Sequence, residues 1–348
     1  MLSIVVAIHN QIGHNQLFLD GIRRYTTGAY ELIVVDNHST DGSGAFFESN
    51  GCRVIKNLVN LCYPESMNLG IQASTGDRLC FINNDLYVGP DWNGLLVDAM
   101  EKGGLDAVSP LGIEQMPSRA LTDWMHGRWD RVGRSRHVGK GKEALRRMID
   151  RMYGDWEAFC MEVHRAFHSR LFEGIIGSCV MMRRSLLEKI GPWDERVQAA
   201  DWDIYYRVRK REQEVGDVHR IMIVGSVYVH HFIRATLKGR PEPFGCTHPR
   251  LSIDQKWTQQ EQAKLWYKPW DFSPPPEKTP IGRAAHSFGK PYKRLVKWIA
   301  GRVAALGPSP KPDLILEKYR ERFRTVGQES SCAEISKAIP PPPGNLEK

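Results

Sequence analysis

From Ser3 to Ser109 the chain alternates short apolar runs with stretches of helical periodicity, and this rhythm restricts the fold more than any single motif. Ser3 to Ile8, Glu31 to Val35, Cys52 to Ile55, Arg78 to Ile82 and Asp106 to Ser109 read as strands, while Gln16 to Tyr25, Pro64 to Ala73 and Pro90 to Glu101 read as helices. The last helix opens on proline and stops before Gly103-Gly104, and Asp36 to Gly44 reads as a polar, glycine-containing loop. Strands separated by helices lie side by side in one direction, so the expected class is α/β with a mostly parallel sheet flanked by helices.

The rhythm breaks at Leu111 and resumes at Gly177. Residues 111–172, rich in Arg, Trp and His and helical around Glu143 to Met152, read as an inserted helical segment. Gly177 to Met182 then forms a strand, Ser185 to Ile190 and Trp202 to Arg211 form helices, and Ile221 to Val229 is a last strand running into His230-His231. The domain is expected to span 1–235, with 236–348 as a C-terminal extension. Proline clusters at 274–276, 308–312 and 340–343 mark linkers and a disordered end.

With 348 residues and 41% apolar side chains, one large domain or two can bury a core. The net charge of +8 sits in one place: Pro275 to Thr325 carries twelve Lys or Arg against four acids, and the remainder balances at 36 against 36. Basicity is therefore a property of the tail. Seven scattered cysteines, none spaced C-x-x-C, argue against a disulfide framework and a thiolate metal site. No run is long and apolar enough to span a bilayer, and Met1 to Ile8 lacks a basic flank and ends at His9-Asn10, so it reads as a buried strand. A cytoplasmic location is expected.

Ligands of open parallel sheets bind outside the carboxyl ends of the strands, where His9-Asn10, Asp36 to Asp41 and Asn83-Asn84-Asp85 should converge. Neither G-x-G-x-x-G after the first strand nor G-x-x-x-x-G-K-[ST] is present, so no glycine loop of those kinds cradles a phosphate. A divalent cation is the alternative, since such ions are held by one or two carboxylates together with substrate phosphates. Asn83-Asn84-Asp85 supplies oxygen donors of that kind, although N-N-D is also a common turn.

Taken together, SIVVAIHN, IVVDNHSTDGS, NLVNLCYPESMNLGIQASTGDRLCFINNDLYVGPDW, GSCVMMRRSLLEKIGPWDE, AADWDIYYRVRK and VYVHH resemble, in order, the blocks of family 2 glycosyltransferases of the GT-A fold. The resemblance covers most of residues 1–235 and is greatest to bacterial rhamnosyltransferase-like members that build cell-surface polysaccharides. It implies a nucleotide-binding, Rossmann-like domain and an inverting transfer of sugar from a nucleotide-diphosphate sugar to a glycan or lipid-linked acceptor. A divalent cation, manganese or magnesium, is implied as cofactor.

By that resemblance Asp36 meets the nucleotide base and Asp41 lies near the nucleoside, with His9, Asn10 and Asn68 in the same donor pocket. Asn83 and Asp85 match the ends of the family D-x-D motif, with Asn84 between them, Asp85 as metal ligand and Asn83 near the ribose. His230 or His231 matches the histidine that completes the metal or diphosphate site, His230 being preferred. Asp201 matches the general base of the family E-D-x-D motif. The preceding family Glu is Ala200 here, which leaves Asp203 as rival base or structural partner. Either aspartate at a helix start also serves as a cap. Gly191 to Glu195 matches the acceptor-side G-G-x-D-E, making Trp193, Asp194 and Glu195 acceptor candidates, with Trp193 offering a flat face to a sugar. Cys62 and Ser66 replace a family glycine and alanine, which bears on the shape of the donor pocket.

Trp124, His126, Arg128, Trp129, Arg131, Arg134 and Arg136 in the insertion suit a lid or a diphosphate grip, or equally a solvated excursion. Tyr292 to Leu306 has an apolar face beside Lys293, Arg294, Lys297 and Arg302. That suits peripheral contact with the inner face of an anionic membrane, or docking on the domain. No nucleic-acid-binding module accompanies the charge. The principal rival function is a non-catalytic sugar-nucleotide or glycan-binding protein on the same fold. A glycoside hydrolase and a sugar nucleotidyltransferase rank lower, the first having no use for the nucleotide loops and the second lacking its glycine-rich first loop.

Overall fold

The computed structural model describes residues 1–133, 141–168, 170–233, 244–245, 247–266 and 312–331. The alternating first part builds β1 (Leu2–Ile8), α1 (Ile12–Tyr25), β2 (Tyr30–Asn37), α2 (Ser43–Ser49), β3 (Arg53–Asn57), α3 (Tyr63–Ala73), β4 (Arg78–Ile82), β5 (Leu86–Val88), α4 (Trp92–Gly103) and β6 (Ala107–Leu111). The middle adds α5 (Arg119–Gly133), α6 (Lys142–Tyr153), α7 (Trp156–Phe167) and β7 (Leu171–Glu173). After these come β8 (Cys179–Arg183), α8 (Arg184–Ile190), α9 (Ala200–Glu214) and β9 (Met222–His231). Three further helices follow: α10 (Ile253–Lys256), α11 (Gln259–Leu265) and α12 (Pro312–Ser331).

The expected α/β sheet is present, in the order β3-β2-β1-β4-β8-β6-β9-β5, with β7 also on β9. β3, β2, β1 and β4 pair parallel, and β8 runs antiparallel between β4 and β6. Because β6 and β9 are parallel to each other and β6 opposes β8, six strands share one direction and their carboxyl ends share one edge. The short strands β5 and β7 both oppose β9. Neither short strand was legible in the sequence, and α2 replaces the end of the expected loop.

Both faces of the sheet are covered, so β1 is apolar almost throughout. Its side chains alternate between two cores: Ile4, Val6 and Ile8 join the larger one, Val5 the smaller. Gly70 on α3 is required because a Cβ there would stand 2.1 Å from the Val5 side chain.

The insertion does not behave as a solvated excursion. Met125, Trp129, Ile149, Trp156 and Phe159 are buried in the larger core, where α12 joins them through Tyr319 and Phe323. The Tyr319 hydroxyl donates to the Met152 carbonyl at 2.9 Å, and its ring lies 4.6 Å from that of Phe159. Packing therefore continues beyond residue 235, since Trp257 and Leu265 also enter the smaller core. The basic helix expected at 292–306, the proline-rich end, Arg134 and Arg136 lie outside the described residues. The five described cysteines are free thiols.

Tyr319 is completely buried among aromatic rings. Tyr319→Ala should therefore cost about 3 kcal/mol or more, read as a lower urea midpoint at unchanged slope.

Candidate active site

Parallel pairing sets Ile8 opposite Asp36, so the loops that leave β1 and β2 meet. They are joined through left-handed residues, Asn10, Gln11 and His38, with φ of 57°, 69° and 62°. The Asn10 side-chain oxygen accepts the amides of Thr40 and Asp41 at 2.7 and 3.2 Å, and His9 Nδ1 lies 2.7 Å from the Asn37 carbonyl. Asp36 is buried; one oxygen accepts the Ser39 amide at 2.9 Å, and a Cβ at Gly44 would stand 2.1 Å from the other. Asp41 is committed to two helix starts, accepting Ile12 N at 2.9 Å and Ser43 N at 3.0 Å. Asn84 turns inward and donates to Asn15 at 2.7 Å, and Asn15 in turn donates to the Asn10 carbonyl. His9, Asn10, Asp36, Asp41 and Asn84 are thus brought together at one sheet edge, with Asn84 serving to lock the loop.

Antiparallel pairing of β5 with β9 puts Leu86 opposite His231 and Tyr87 opposite His230, and successive strand residues face opposite sides. His231 Nε2 lies 3.1 Å from Asp85, and its Nδ1 bonds Glu114. Burial alone would strip the proton from His231, but the Asp85 and Glu114 carboxylates override it and raise the ring to about 10. His230 faces the opposite way. It is fully buried, 2.7 Å from the Tyr153 hydroxyl and edge-on to Trp129 at 4.4 Å, and burial holds it well below the usual histidine range. Of the two histidines, the strand's alternation sets His231 beside Asp85 and turns the preferred His230 into the core.

Two carboxylates flanking one imidazole is a donor set that calls for positive charge, which a divalent cation fits. Among the described residues no group of three or more His, Cys, Asp or Glu is placed to hold a metal ion. Such an ion would therefore take its remaining ligands from phosphate and water.

A cleft of about 530 Å³ connects this edge to α9, and Asn83, Glu114, Asp201 and His231 all line it. Asp201 fits because residue 177 is glycine: a Cβ there would stand 2.2 Å from its carboxylate. Burial raises the Asp201 carboxyl above the usual range. Tyr63 shares the cleft; its buried hydroxyl has no partner among the described residues, and burial together with Asp201 pushes it up.

The other aspartate of α9 is engaged in packing. Asp203 is fully buried and meets Arg207 at 2.9 Å, Trp257 Nε1 at 2.9 Å and Lys256 at 2.6 Å, so three of its four acceptor sites are taken and burial keeps it from a substrate. The acceptor candidates are likewise occupied. Trp193 is a core residue, edge-on to Phe81 at 5.1 Å, and presents no face to a sugar. Asp194 is held by Arg196 at 2.8 Å and Lys256 at 2.7 Å, and the Arg196 fork keeps it well below the usual range. Asn68 clamps Trp193 through both backbone groups and also holds Glu195 at 2.9 Å, while Glu195 meets His248 at 3.1 Å. Sequence reading missed Glu114, Tyr63 and Trp266 in the cleft. Glu114 was within reach, since it follows β6 just as Asp85 follows β4.

The family model "Glycosyl transferase family 2" matches residues 3–191, more than half the chain. The chain belongs to that family. Its family 2 relatives include the uncharacterised Bacillus subtilis glycosyltransferase YwdF, 25% identical over 213 residues, covering 60% of this chain and 68% of YwdF. An uncharacterised Haemophilus influenzae glycosyltransferase is 32% identical over 90 residues, covering 24% of this chain and 29% of that protein. The putative Bacillus subtilis glycosyltransferase EpsH is 27% identical over 97 residues, 26% of this chain and 28% of EpsH. This chain therefore matches less than a third of the length of the last two. Among solved structures, the mannosyltransferase PcManGT from Pyrobaculum calidifontis, in complex with GDP-Man and Mn2+, is similar with a TM-score of 0.47. It is 17% identical, the match covering 95% of this chain and 84% of that one. No described helix of this family 2 chain is long and apolar enough to cross a membrane.

Removing one partner from a buried ion cluster leaves charge uncompensated, so Asp203→Ala should lose about 3 kcal/mol in a denaturant titration. His231 holds its proton to about 10 in the fold but only to its ordinary 6.5 when unfolded. The stabilisation it contributes is complete below 6.5, shrinks as pH rises, and is gone above about 10. In chelator-treated protein, Tm should fall more steeply across that window in wild type than in His231→Asn.

Proposed function

We propose that this chain is an inverting, metal-dependent glycosyltransferase that moves a sugar from a nucleotide-diphosphate sugar to an acceptor hydroxyl. The observation carrying this reading is that Asn83, His231 and Asp201 open onto one cleft. One side holds a carboxylate-histidine pair suited to a cation; the other holds a carboxylate whose basicity burial increases.

In this mechanism the donor nucleotide lies along the edge formed by His9, Asn10, Asp36 and Asp41, with Asp36 accepting from the base and Asn83 beside the ribose. Asp85 and His231, the latter giving up its proton, would hold a divalent cation that would supply charge against the departing diphosphate. The acceptor oxygen attacks the anomeric carbon from the face opposite the nucleotide. The carbon–oxygen bond to the diphosphate breaks with its electron pair, and Asp201 takes the hydroxyl proton, a contribution of roughly 10² to 10⁴ in rate. One displacement inverts the anomeric centre. Asp203, buried and held by Arg207, Lys256 and Trp257, positions α9 instead of acting as base. The motif blocks also favour a hexose or deoxyhexose donor and a role in cell-surface polysaccharide synthesis, with 1–235 as the main part of a catalytic domain that 247–266 completes and the basic tail in peripheral contact with the membrane.

Asp201→Asn should lower transfer by about 10² or more while leaving nucleoside-diphosphate binding within about twofold, read by calorimetry and a nucleotide-release assay. Asp85→Ala should abolish manganese-dependent stabilisation by the preferred nucleotide. Transfer at the wild-type rate in folded Asp201→Asn would remove that residue as base. Nucleotide binding without turnover on any acceptor would favour a non-catalytic binding protein.

A further inference from the structure

The acceptor residues expected from the sequence are buried or ion-paired, yet the wall of the cleft beside Asp201 is aromatic. Trp202, the next residue on α9, and Trp266, just beyond α11, both line the cleft. Their rings stack with centroids 4.5 Å apart and planes 20° from parallel. Trp266 is 38% exposed, and the rest of the lining is mixed, with Asn83, Gln115 and Gln198 among its polar members.

We propose that the Trp202–Trp266 stack is the acceptor platform, and that the acceptor presents a pyranose ring to it. This rests on the transferase reading above. A pyranose has one face of C–H groups and a rim of hydroxyls, so it needs an apolar wall beside hydrogen-bonding groups, and the cleft offers both. Seated there, the ring has a hydroxyl rim within the same cleft as Asp201 and the Tyr63 hydroxyl, which has no partner among the described residues.

The platform is built, not incidental. Leu265, immediately before Trp266, is buried in the smaller core, with its carbonyl 3.4 Å from the Tyr205 hydroxyl and 3.5 Å from Arg209 Nε, both on α9. Trp257 Nε1 donates to Asp203, so the extension that carries one indole is bonded to the helix that carries the other.

The test is saturation-transfer NMR with methyl pyranosides of glucose, galactose, mannose, rhamnose and N-acetylglucosamine, with manganese and UDP or GDP present. The proteins compared are wild type, Trp202→Ala, Trp266→Ala and the two Phe variants. Each Ala variant should bind its best pyranoside about tenfold more weakly, each Phe variant should recover most of the loss, and nucleotide affinity should stay within about twofold. Should Trp202→Ala fail to fold, Trp266→Ala carries the test, its ring being partly exposed. Nucleotide binding retained with pyranoside binding absent, or unchanged in folded Ala variants, overturns the platform and leaves the transferase reading standing. Wild type that binds no nucleotide overturns both.

Discussion

The arrangement turns on one buried carboxylate. Asp203 receives Arg207 from its own helix and Lys256 and Trp257 from the C-terminal extension, and Lys256 reaches on to Asp194. A buried charge costs several kcal/mol unless well paired, so this cluster is stable in one geometry only. That geometry sets the first turn of α9, from which Asp201 and Trp202 enter the cleft. It also ties down the segment that carries Trp266. An aspartate that looked like an alternative catalyst is the anchor for the residues around it.

Across the cleft, alternation along β9 divides the labour between adjacent histidines. The ring facing Asp85 and Glu114 is held charged; its neighbour, among Tyr153, Trp129 and Phe232, is held neutral. A one-residue slip against β5 would exchange the two, so the register of a three-residue strand governs which imidazole meets carboxylate. The paired carboxylates create a demand for positive charge that His231 meets in the protein alone.

Much of the sheet was legible because both faces are covered: an apolar run such as Ser3 to Ile8 has no other use, and its neighbours repeat the pattern. β5 and β7 escaped because three residues carry no readable period. His9, Asn10, Asp36, Asp41 and Asn84 gather at one edge because each lies at or just after the carboxyl end of a strand of common direction, whereas Asn68, on α3, is bonded to Trp193 and Glu195 instead. The choice between His230 and His231 was not readable, because it depends on pairing register, and the same is true of Trp193, whose burial depends on Phe81 and Tyr63. Asp203 and Asp194 carry no mark that distinguishes a partnered carboxylate from a free one; their partner Lys256 lies more than fifty residues downstream. Glu114 was passed over because it lies in 111–172, read as an inserted segment outside the alternating strands.

The position of α12 has a consequence for synthesis. Tyr319 bonds to Met152, 167 residues earlier, and closes over Tyr153 and Phe159. A chain made from its N-terminus exposes those rings first and covers them last. The nascent protein must therefore leave the ribosome with an aromatic patch uncovered, a stage at which exposed apolar surface invites association or chaperone capture. The insertion and the far end of the chain thus mature together, however early the sheet itself is laid down.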